Sequence, residues 1–376
     1  MLVRRRTRLA RNWSASTHYP VADICGCTCE RVHEHQERRC GARSVMATSF
    51  GSAFATKMSR ARFVDGNYES PSVEDTGPLS LSPAAHALHY GSACFEGLKA
   101  HKGVDGTVRI FRLDAHVARM QGSAEMLYLP VPDADALADM IRGVVAANLV
   151  EVPDAPGALY LRPVIIGTEA NIGAAARPSA EALLYVIASP VGDYFDSSRT
   201  LTVAVETELP RTTPQFGQIK TGANYAMALG VTRRAMADYD ADQVLFAPGG
   251  DIQETGAANF LMIDGDTVVT RSLDSSFLHG ITRDSVLTLA RDRGMQIQER
   301  NLTVDELAGK LDQVEAVLSG TAAVLAPIGK LVIDGKTMQV RDGKMGPVTA
   351  SLRDSLLAIQ RAEAADEHGW TTPVSG

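Results

Sequence analysis

Two strongly apolar segments, ALYLRPVIIG at 158–167 and ALLYVIAS at 182–189, most constrain what this chain can fold into. A loop rich in small residues separates them, so both are interpreted as buried strands. Elsewhere strands and helices alternate irregularly, without the βαβ repeat that builds a parallel sheet. The sequence therefore predicts an α+β fold with mixed or antiparallel sheets and helices.

Two helices with apolar stripes are predicted between the first strands and these segments. The first helix has Asp114 as its expected N-cap and turns Val117, Met120 and Ala124 inwards. The second runs from Asp133 to Leu149. Its inward stripe consists of Leu137, Met140, Ile141, Val144 and Val145.

Bulk composition restricts the class of partner. The 376 residues are 45% hydrophobic and 22% charged, and the formal net charge is −7. These values are typical of a globular protein with a large core, and the charge argues against a nucleic-acid partner. No apolar run approaches the roughly 20 residues that span a bilayer. The expected partners are therefore small molecules, with neither nucleic acid nor membrane.

Residues 1–60 differ in composition from the rest and are expected to be a poorly ordered extension. The first fourteen residues are rich in arginine, and no acidic residue occurs before Asp23. Such an opening is typical of an organelle transit peptide. Met46 offers the alternative of an over-extended gene start. The cytoplasm is the expected compartment, with a mitochondrion or plastid as the alternative if residues 1–45 are a transit peptide.

The cysteines are distributed unevenly and do not suggest a disulfide scaffold. A reducing compartment is therefore the better interpretation. Zinc binding by the N-terminal cysteines together with His33 and His35 is an alternative, but their spacing matches no familiar zinc finger, and no metal is predicted. The cysteines are Cys25, Cys27, Cys29, Cys40 and Cys94.

The segment QFGQIKTGANYAMALG contains Lys220 between a proline-broken loop and an apolar-periodic helix that begins near Ala223. It is the only lysine between Lys102 and Lys310. At such a junction the amine is partly withdrawn from water, which makes it a candidate nucleophile. The alternative is an ordinary surface lysine, so the assignment depends on other parts of the chain.

Several other features have the chemistry to cooperate with Lys220. Glu254 lies among small residues, where a carboxylate requires a cation or a protonated heterocycle as its partner. GITRD starts a helix whose free N–H groups and Thr282 hydroxyl form an anion site, and the SGTAA turn with Thr321 forms another. Arg119 adds a guanidinium for a phosphate. Together they predict pyridoxal 5′-phosphate as the cofactor.

These residues belong to an ordered series of motifs: HALHYGSACFEGLKA, RLDAHVARM, YLRP, IKTGANYA, IQETGAANFL, LHGITRD, LSGTAA and EHGW. From about Arg62 to Trp370 the chain resembles the fold-type IV aminotransferases, and most closely the branched-chain amino acid aminotransferases. The resemblance implies a two-domain fold like that of D-amino acid aminotransferase. Its parts would be a small domain at 62–190, an interdomain loop at 191–200 and a large cofactor-binding domain at 201–376.

The resemblance also implies roles around the cofactor. Lys220 would bind it covalently and move the proton between the substrate Cα and the cofactor. Tyr225 would hydrogen-bond the phenolic oxygen, and Glu254 would pair with the ring nitrogen. The implied phosphate ligands are Arg119, Ile281, Thr282 and Thr321.

The substrate is expected in a pocket with aromatic walls. The N–H groups of Thr321 and Ala322 would face its α-carboxylate. Arg162 is the candidate partner for the distal carboxylate of glutamate or 2-oxoglutarate, because one pocket must take both an aliphatic chain and a carboxylate. The side-chain pocket implied by the resemblance contains Tyr90, Phe95, Gly97, Tyr160, Arg162 and Tyr194.

A few positions depart from the family pattern or have no assigned role. The role of Lys99, after FEGL, is open. Ala323 and Ala326 stand where animal mitochondrial members carry a redox-active cysteine pair, so a thiol switch at that site is excluded. Cys94 is expected to be a small buried residue. The histidines expected to pack or hydrogen-bond are His86, His89 and His279.

The implied reaction is a ping-pong transamination. L-Leucine, L-isoleucine or L-valine would give its amino group to the cofactor, and 2-oxoglutarate would take it and become L-glutamate. A homodimer or higher homo-oligomer is implied, with the site near the interface. Alternatives on the same fold are a D-amino acid transaminase and a 4-amino-4-deoxychorismate lyase. A non-catalytic binding protein is a further alternative, which the intact Lys220, Tyr225 and Glu254 argue against.

Overall fold

The computed structural model of the protein describes residues 50–192 and 199–375. Within these ranges two large sheets form, one of nine strands and one of eight. The pairings of the first sheet are antiparallel, and the second sheet combines antiparallel with parallel neighbours. The predicted α+β class with mixed or antiparallel sheets is confirmed.

All but one of the strands of the first sheet come from the first half of the chain. They are β1 (Lys57–Val64), β2 (Asn67–Tyr68), β3 (Ser72–Asp75), β4 (Ala93–Phe95), β5 (Leu98–Lys102), β6 (Val108–Phe111), β7 (Ala158–Gly167) and β8 (Ala182–Val191). β7 and β8 are the two apolar segments, and they pair over their full length. They lie in the interior of the sheet, which explains why their sequences are the most apolar.

The first strand begins earlier than the sequence predicts. The globular part was expected from Arg62, yet β1 starts at Lys57 and pairs with both β3 and β8. Met58 and Ala61 are buried, whereas Arg60 and Arg62 are exposed. The charged residues on the outer face therefore concealed a strand that belongs to the sheet. The sequence pair Asp65-Gly66 predicts a hairpin turn. This prediction is confirmed, because β1 and β2 pair directly on either side of the two residues, and both have positive φ, at 52° and 82°.

The second sheet is built from the second half of the chain. Its spatial order is β10-β9-β15-β14-β11-β12-β13, with β16 beside β15. The strands are β9 (Leu201–Glu206), β10 (Gln243–Phe246), β11 (Asn259–Asp264), β12 (Thr267–Thr270), β13 (Gln296–Glu299), β14 (Glu315–Gly320), β15 (Val324–Ile333) and β16 (Lys336–Gln339).

The last strand, β17 (Thr371–Val374), returns to the first sheet and pairs with β6. It follows Trp370 of the EHGW motif, whose carbonyl accepts a hydrogen bond from the Arg112 N–H at 2.6 Å. The proposed division into domains at 62–190 and 201–376 therefore leaves one strand of the first sheet in the second range. That division remains a prediction.

Helices flank the sheets and carry several of the candidate residues. Within the described residues they are α1 (His86–Tyr90), α2 (Leu113–Met126), α3 (Ala134–Ala147), α4 (Gly222–Tyr239), α5 (Ile281–Asp292), α6 (Val304–Ala308) and α7 (Pro347–Gln360). Short 3-10 turns lie at Leu149–Glu151 and Pro248–Gly250.

The apolar stripes predicted for α2 and α3 are confirmed, since all of their members are buried. Asp133 caps α3, because its side chain accepts the Ala136 N–H at 3.0 Å. The expected cap of α2 is wrong. Arg112, with a left-handed backbone at φ 54°, occupies the N-cap position, and Asp114 lies in the first turn. The Arg112 side chain instead pairs with Asp284 at 2.8 Å.

Some of the remaining expectations concern residues that the structure does not describe, and others can be compared with it. The extension before residue 50 lies outside them, together with its cysteines and the zinc alternative. No helix of the described residues is long and apolar enough to cross a membrane. Cys94 is fully buried, and burial and then the charge of Glu96 raise the pKa of its thiol to about 12. The prediction that it is a packing residue is confirmed.

One buried histidine predicts how the stability of the fold depends on pH. His101 on β5 is 3% exposed, and neither of its ring nitrogens has a hydrogen-bond partner among the described residues. Burial, and then the charges of Lys99 and Arg361, lower its pKa to about 3. The folded protein thus resists protonation of His101 between this pKa and the ordinary value of about 6.5.

We expect the free energy of unfolding to fall as the pH drops below about 6.5, by up to about 1.4 kcal/mol for each pH unit from this group. His101→Phe should remove this contribution. Urea denaturation at pH 7.5 and pH 5 measures it in both proteins. His89→Phe, which changes an exposed histidine, is the matched control and should keep the wild-type pH dependence. An unchanged pH dependence in His101→Phe would contradict the prediction.

Candidate active site

Lys220 lies at the end of a loop, directly before α4. Its backbone is held from two sides, because its N–H donates to the Ser123 hydroxyl at 3.1 Å and its carbonyl accepts the Phe95 N–H at 3.0 Å. Ser123 belongs to α2 and Phe95 to β4. The half-buried amine donates to the Tyr225 hydroxyl at 3.1 Å. The predicted lysine and tyrosine are therefore in direct contact.

An aromatic wall surrounds this amine. The Lys220 nitrogen lies 5.3 Å from the centre of the Phe95 ring and 5.7 Å from that of Tyr225. The two rings are 5.4 Å apart. Both rings attract a cation through their faces while excluding water from it. Among the described residues, the Tyr225 hydroxyl accepts the hydrogen bond of the amine, and the two rings lie beside it.

The loop before the lysine is fixed by side chains of its own segment. Asn224 on α4 donates to the carbonyls of Phe216 and Ile219, and its oxygen accepts the Thr212 hydroxyl at 2.7 Å. Gly217 approaches another loop so closely that a Cβ there would lie 2.0 Å from the backbone carbon of Ser276. Only glycine fits at this position, so the path of the loop to Lys220 is tightly determined.

Glu254 is buried, as its small neighbours in the sequence predict, with 3% of its side chain exposed. Its carboxylate accepts the Leu278 N–H at 2.9 Å and the Asn259 amide at 3.2 Å. A buried arginine that sequence reasoning missed, Arg211, forms an ion pair with it at 2.6 Å. Burial raises the pKa of Glu254 to about 7, although the charges of Arg211, Lys220 and Arg119 oppose the rise.

Arg119 is held by a second buried carboxylate, Glu96. Its Nε and Nη2 donate to Glu96 at 2.7 and 2.9 Å, and its Nη1 donates to the His279 carbonyl at 2.9 Å. His116 Nδ1 lies 2.7 Å from the same carboxylate. Burial opposes ionisation of Glu96, but the charges of Arg119 and His116 outweigh it and hold its pKa well below the usual range. The guanidinium keeps further N–H groups for an anion.

Sequence reasoning did not single out Glu96 and His116. One signal was available, because His116 and Arg119 are three residues apart and so lie on one face of α2. Glu96 lies 20 residues before His116 and 23 before Arg119 on the chain. Only its place in the FEG motif distinguished it.

The start of α5 has the properties expected of an anion site. Gly280 is its N-cap, and no side chain accepts a hydrogen bond there. Ile281 and Thr282, the first residues of the helix, are buried. A Cβ at Gly280 would lie 1.9 Å from the Asn259 Oδ1, so the chain needs glycine to reach this point. The first N–H groups of α5 therefore remain available for a ligand.

The second predicted anion turn connects β14 and β15. Thr321 and Ala322 are half-buried there, and the Ala322 carbonyl accepts the Lys99 amine at 2.8 Å. Lys99 on β5 thus joins the first sheet to this turn, which gives a structural role to a residue whose role the sequence left open. Val324, the first residue of β15, has φ of 62°, which is strained for a β-branched residue.

The predicted substrate pocket is assembled in part. The Arg162 guanidinium lies 4.6 Å from the centre of the Phe95 ring and donates to the Tyr160 hydroxyl at 2.9 Å. A Cβ at Gly97 would lie 1.9 Å from that hydroxyl, so glycine makes room for Tyr160. Phe50 packs edge-on against Tyr160, with ring centres 5.0 Å apart.

A cavity of about 360 Å³ adjoins these residues and is lined by Phe50, Phe54, Tyr160, Arg162, Ile187 and Ser189, among others. Phe50 and Phe54 come from the segment that the sequence analysis assigned to the extension at 1–60. Their aromatic side chains in MATSFGSAF were the available signal. The described start of the chain therefore contributes to the walls of the pocket.

Two predicted pocket residues are not joined to this group. Tyr194 lies outside the described residues. The hydroxyl of Tyr90 donates to the Ile172 carbonyl, and its ring contacts His86 and His89. The histidines have the packing and hydrogen-bonding roles expected of them: the partner atoms are the Ser92 hydroxyl for His86, the Pro83 carbonyl for His89 and the Asp274 carbonyl for His279.

The donors and acceptors present fit pyridoxal 5′-phosphate. A buried carboxylate with a pKa near 7 suits a protonated ring nitrogen, and the paired Lys220 amine and Tyr225 hydroxyl suit the carbonyl and phenolic oxygens. The uncapped start of α5 and the Arg119 guanidinium suit a phosphate. A ligand without a phosphate would leave the first N–H groups of α5 without a partner at the buried start of the helix.

Comparison with known proteins agrees with the predicted family. A family model described as amino-transferase class IV matches residues 93–331. The branched-chain-amino-acid aminotransferase of Mycolicibacterium smegmatis is 37% identical over 87% of this chain and 92% of its own length. A probable enzyme of the same name from Streptomyces coelicolor is 38% identical over 85% of this chain and 91% of its own length.

Solved structures show the same similarity. A T.th. branched-chain amino acid aminotransferase with pyridoxamine 5′-phosphate superposes with a TM-score of 0.70 at 26% identity, over 84% of this chain and 98% of that one. The Escherichia coli branched-chain amino acid aminotransferase gives a TM-score of 0.69 at 26% identity, over 84% of this chain and 99% of that one.

The Arg119–Glu96 contact predicts a large effect on stability. Glu96→Gln leaves the buried Arg119 without its counter-charge, so we expect the free energy of unfolding to fall by about 3–5 kcal/mol. Urea denaturation at pH 7 measures this. Glu306→Gln removes a carboxylate from a partly exposed pair with Arg300 and should cost less than about 1 kcal/mol. Equal losses in the two variants would contradict this account of Glu96.

Proposed function

The chain belongs to the class IV aminotransferases, and on that basis we propose that it is a pyridoxal 5′-phosphate-dependent transaminase of branched-chain amino acids. L-Leucine, L-isoleucine or L-valine gives up its amino group and leaves as the 2-oxo acid. 2-Oxoglutarate then takes the amino group and becomes L-glutamate. The observation that carries the proposal is the Lys220 amine, 3.1 Å from the Tyr225 hydroxyl in the site that also buries Glu254.

The bound cofactor supplies a carbonyl for the amino group and a ring that takes up carbanion charge. The chain supplies the proton carrier, because the Lys220 nitrogen is the basic atom of the aromatic enclosure. Its hydrogen bond to Tyr225 orients the lone pair, and the backbone bonds to Ser123 and Phe95 fix its position. A group held in this way transfers a proton with little reorganisation.

Glu254 provides the negative charge opposite the ring nitrogen. Arg119, the first N–H groups of α5 at Ile281 and Thr282, and the Thr321 turn provide donors for the phosphate. Glu254 pairs with the positive ring nitrogen, and the phosphate donors bind the negative phosphate of the same ligand. Holding both ends fixes the orientation of the ring relative to Lys220.

The substrate side chain enters between Phe95, Tyr160 and Phe50. The N–H groups of Thr321 and Ala322 bind its α-carboxylate. An aliphatic chain packs against the aromatic rings, whereas a distal carboxylate pairs with Arg162, whose guanidinium lies over the Phe95 ring. One pocket thus accepts the two kinds of substrate that the reaction alternates between.

A homodimer is also proposed. Tyr90 and Ile172 are exposed by 38% and 67%, and the Tyr90 hydroxyl is bonded to the Ile172 carbonyl, so they form one apolar patch. Such a patch supports an interface between two copies. In the dimer, Tyr90 would reach the substrate pocket that it does not contact within one chain. Light scattering of the purified protein tests the assembly, and a monomer at micromolar concentration would exclude it.

The cytoplasm is proposed as the compartment, on the basis of the cysteine distribution. Expression of the full chain and of a chain that starts at Met46 tests it. Cytoplasmic location of both supports the proposal. Import into an organelle by the full chain alone would identify residues 1–45 as a transit peptide.

The function predicts a defined pattern of products. With leucine and 2-oxoglutarate the protein should form glutamate, and with aminodeoxychorismate it should release no pyruvate. Lys220→Ala should lower turnover by about 10⁴-fold and abolish the visible absorbance of the bound cofactor, because the amine is lost. Lys102→Ala, which changes a lysine paired with Asp154 on the surface, is the matched control. Pyruvate release without glutamate would favour the lyase.

Arg162 predicts a difference between the two half-reactions. Arg162→Met removes a charge-assisted hydrogen bond worth about 1.5–3 kcal/mol, so the KM for 2-oxoglutarate should rise about 10- to 100-fold. The KM for leucine, which has no distal carboxylate, should change much less. Stopped-flow measurement of each half-reaction separates them. An equal rise in KM for leucine and for 2-oxoglutarate would show that Arg162 does not bind the distal carboxylate.

A further inference from the structure

Arg211 makes a contact that the family motifs did not indicate. Its guanidinium lies 2.6 Å from the Glu254 carboxylate, and the two side chains are 4% and 3% exposed. The same nitrogen donates to the Gly217 carbonyl at 3.0 Å. The guanidinium is therefore held between the loop that leads to Lys220 and the acid that faces the cofactor ring.

This pair does not serve to satisfy the carboxylate. Glu254 already accepts hydrogen bonds from the Leu278 N–H and the Asn259 amide. Moving two charges from water to the interior costs several kcal/mol per ion, and the pair often stabilises a protein no better than apolar residues do. The Nε atom of Arg211 is also buried and has no hydrogen-bond partner among the residues that the structure describes. Stability alone does not explain such an arrangement.

The pair does affect the charge of Glu254. Burial favours the protonated acid, which cannot balance a positive ring nitrogen. The positive groups that act against burial are Arg211 from the loop, then Lys220 at the end of that loop and Arg119 from α2. Among the described residues, Arg211 is the cation in ion-pair contact with Glu254. The amine of Lys220 bonds to Tyr225 and the guanidinium of Arg119 to Glu96.

We propose that Arg211 is a positioning residue that acts through Glu254. Its guanidinium, fixed by the Gly217 carbonyl, opposes protonation of the carboxylate and holds it toward the ring nitrogen of the bound cofactor. The proposal rests on the proposed function only in that the chain binds pyridoxal 5′-phosphate. It does not depend on which amino acid the protein transaminates.

The test is the affinity of the apo-protein for pyridoxal 5′-phosphate as a function of pH. The pKa of Glu254 near 7 predicts that the wild-type protein binds more weakly as the pH falls through neutrality. Arg211→Met removes the nearest positive charge, so cofactor binding should begin to weaken at a higher pH. A displacement of one pH unit corresponds to about fivefold weaker binding at pH 7 and approaches about tenfold at lower pH, where the carboxylate is mostly protonated in both proteins. Arg211→Lys should cause a smaller displacement, because the charge is restored.

A double-mutant cycle shows whether the effect passes through Glu254. With Glu254→Gln there is no carboxylate to titrate, so adding Arg211→Met should leave the pH dependence of binding unchanged. Arg341→Met is the matched control. It removes an arginine 3.2 Å from another buried carboxylate, Glu315, and should keep the wild-type pH dependence.

Two results would overturn the proposal. One is a folded Arg211→Met protein whose cofactor binding keeps the wild-type pH dependence. The other is a shift on adding Arg211→Met to Glu254→Gln that equals the shift caused by Arg211→Met alone. If Arg211→Met fails to fold, Arg211→Gln, which removes the charge but keeps an N–H donor for the Gly217 carbonyl, provides the same comparison. A wild-type pH profile combined with weakened binding at every pH would then show a purely structural role. Failure to transaminate leucine, with the cofactor-binding profile as expected, would overturn the proposed substrate and leave Arg211 unaffected.

Discussion

The burial of ionised groups is the constraint on which this site depends. Glu96 and Glu254 are 1% and 3% exposed, and each is paired with an arginine, Arg119 or Arg211. Water cannot stabilise these charges, so each must be balanced by a group at a fixed distance. This requirement determines much of the surrounding structure. The two pairs differ in effect, because the charges around Glu96 overcome burial whereas burial prevails at Glu254 and leaves its pKa near neutrality.

The sequence predicted the parts of the fold and the site that have a local signal. Helical periodicity identified the buried stripe of α3, and Asp65-Gly66 identified a hairpin. Lys220 and Tyr225 were found because their spacing and surroundings are those of a known family. In each case the information lies within a few consecutive residues or in an ordered motif.

What the sequence did not predict depends on contacts between distant segments. Glu96 and Arg119 are 23 positions apart, and Arg211 and Glu254 are 43 apart, so no periodicity connects them. The start of β1 was missed because Arg60 and Arg62 give its outer face the composition of an extension. Arg112 displaced Asp114 as the cap of α2 because its backbone is bonded to Trp370, at the other end of the chain. Such interactions become visible only when the chain is folded.

The return of β17 to the first sheet has a consequence for the synthesis of the protein. Residues 371–374 pair with β6, which is made some 260 residues earlier. A ribosome releases these partners in that order, so the edge of β6 stays open while the whole second sheet is made. An open edge is prone to pair with other chains. The nascent protein therefore depends on residues 371–374 to cover the edge of β6, a strand that is made long before them.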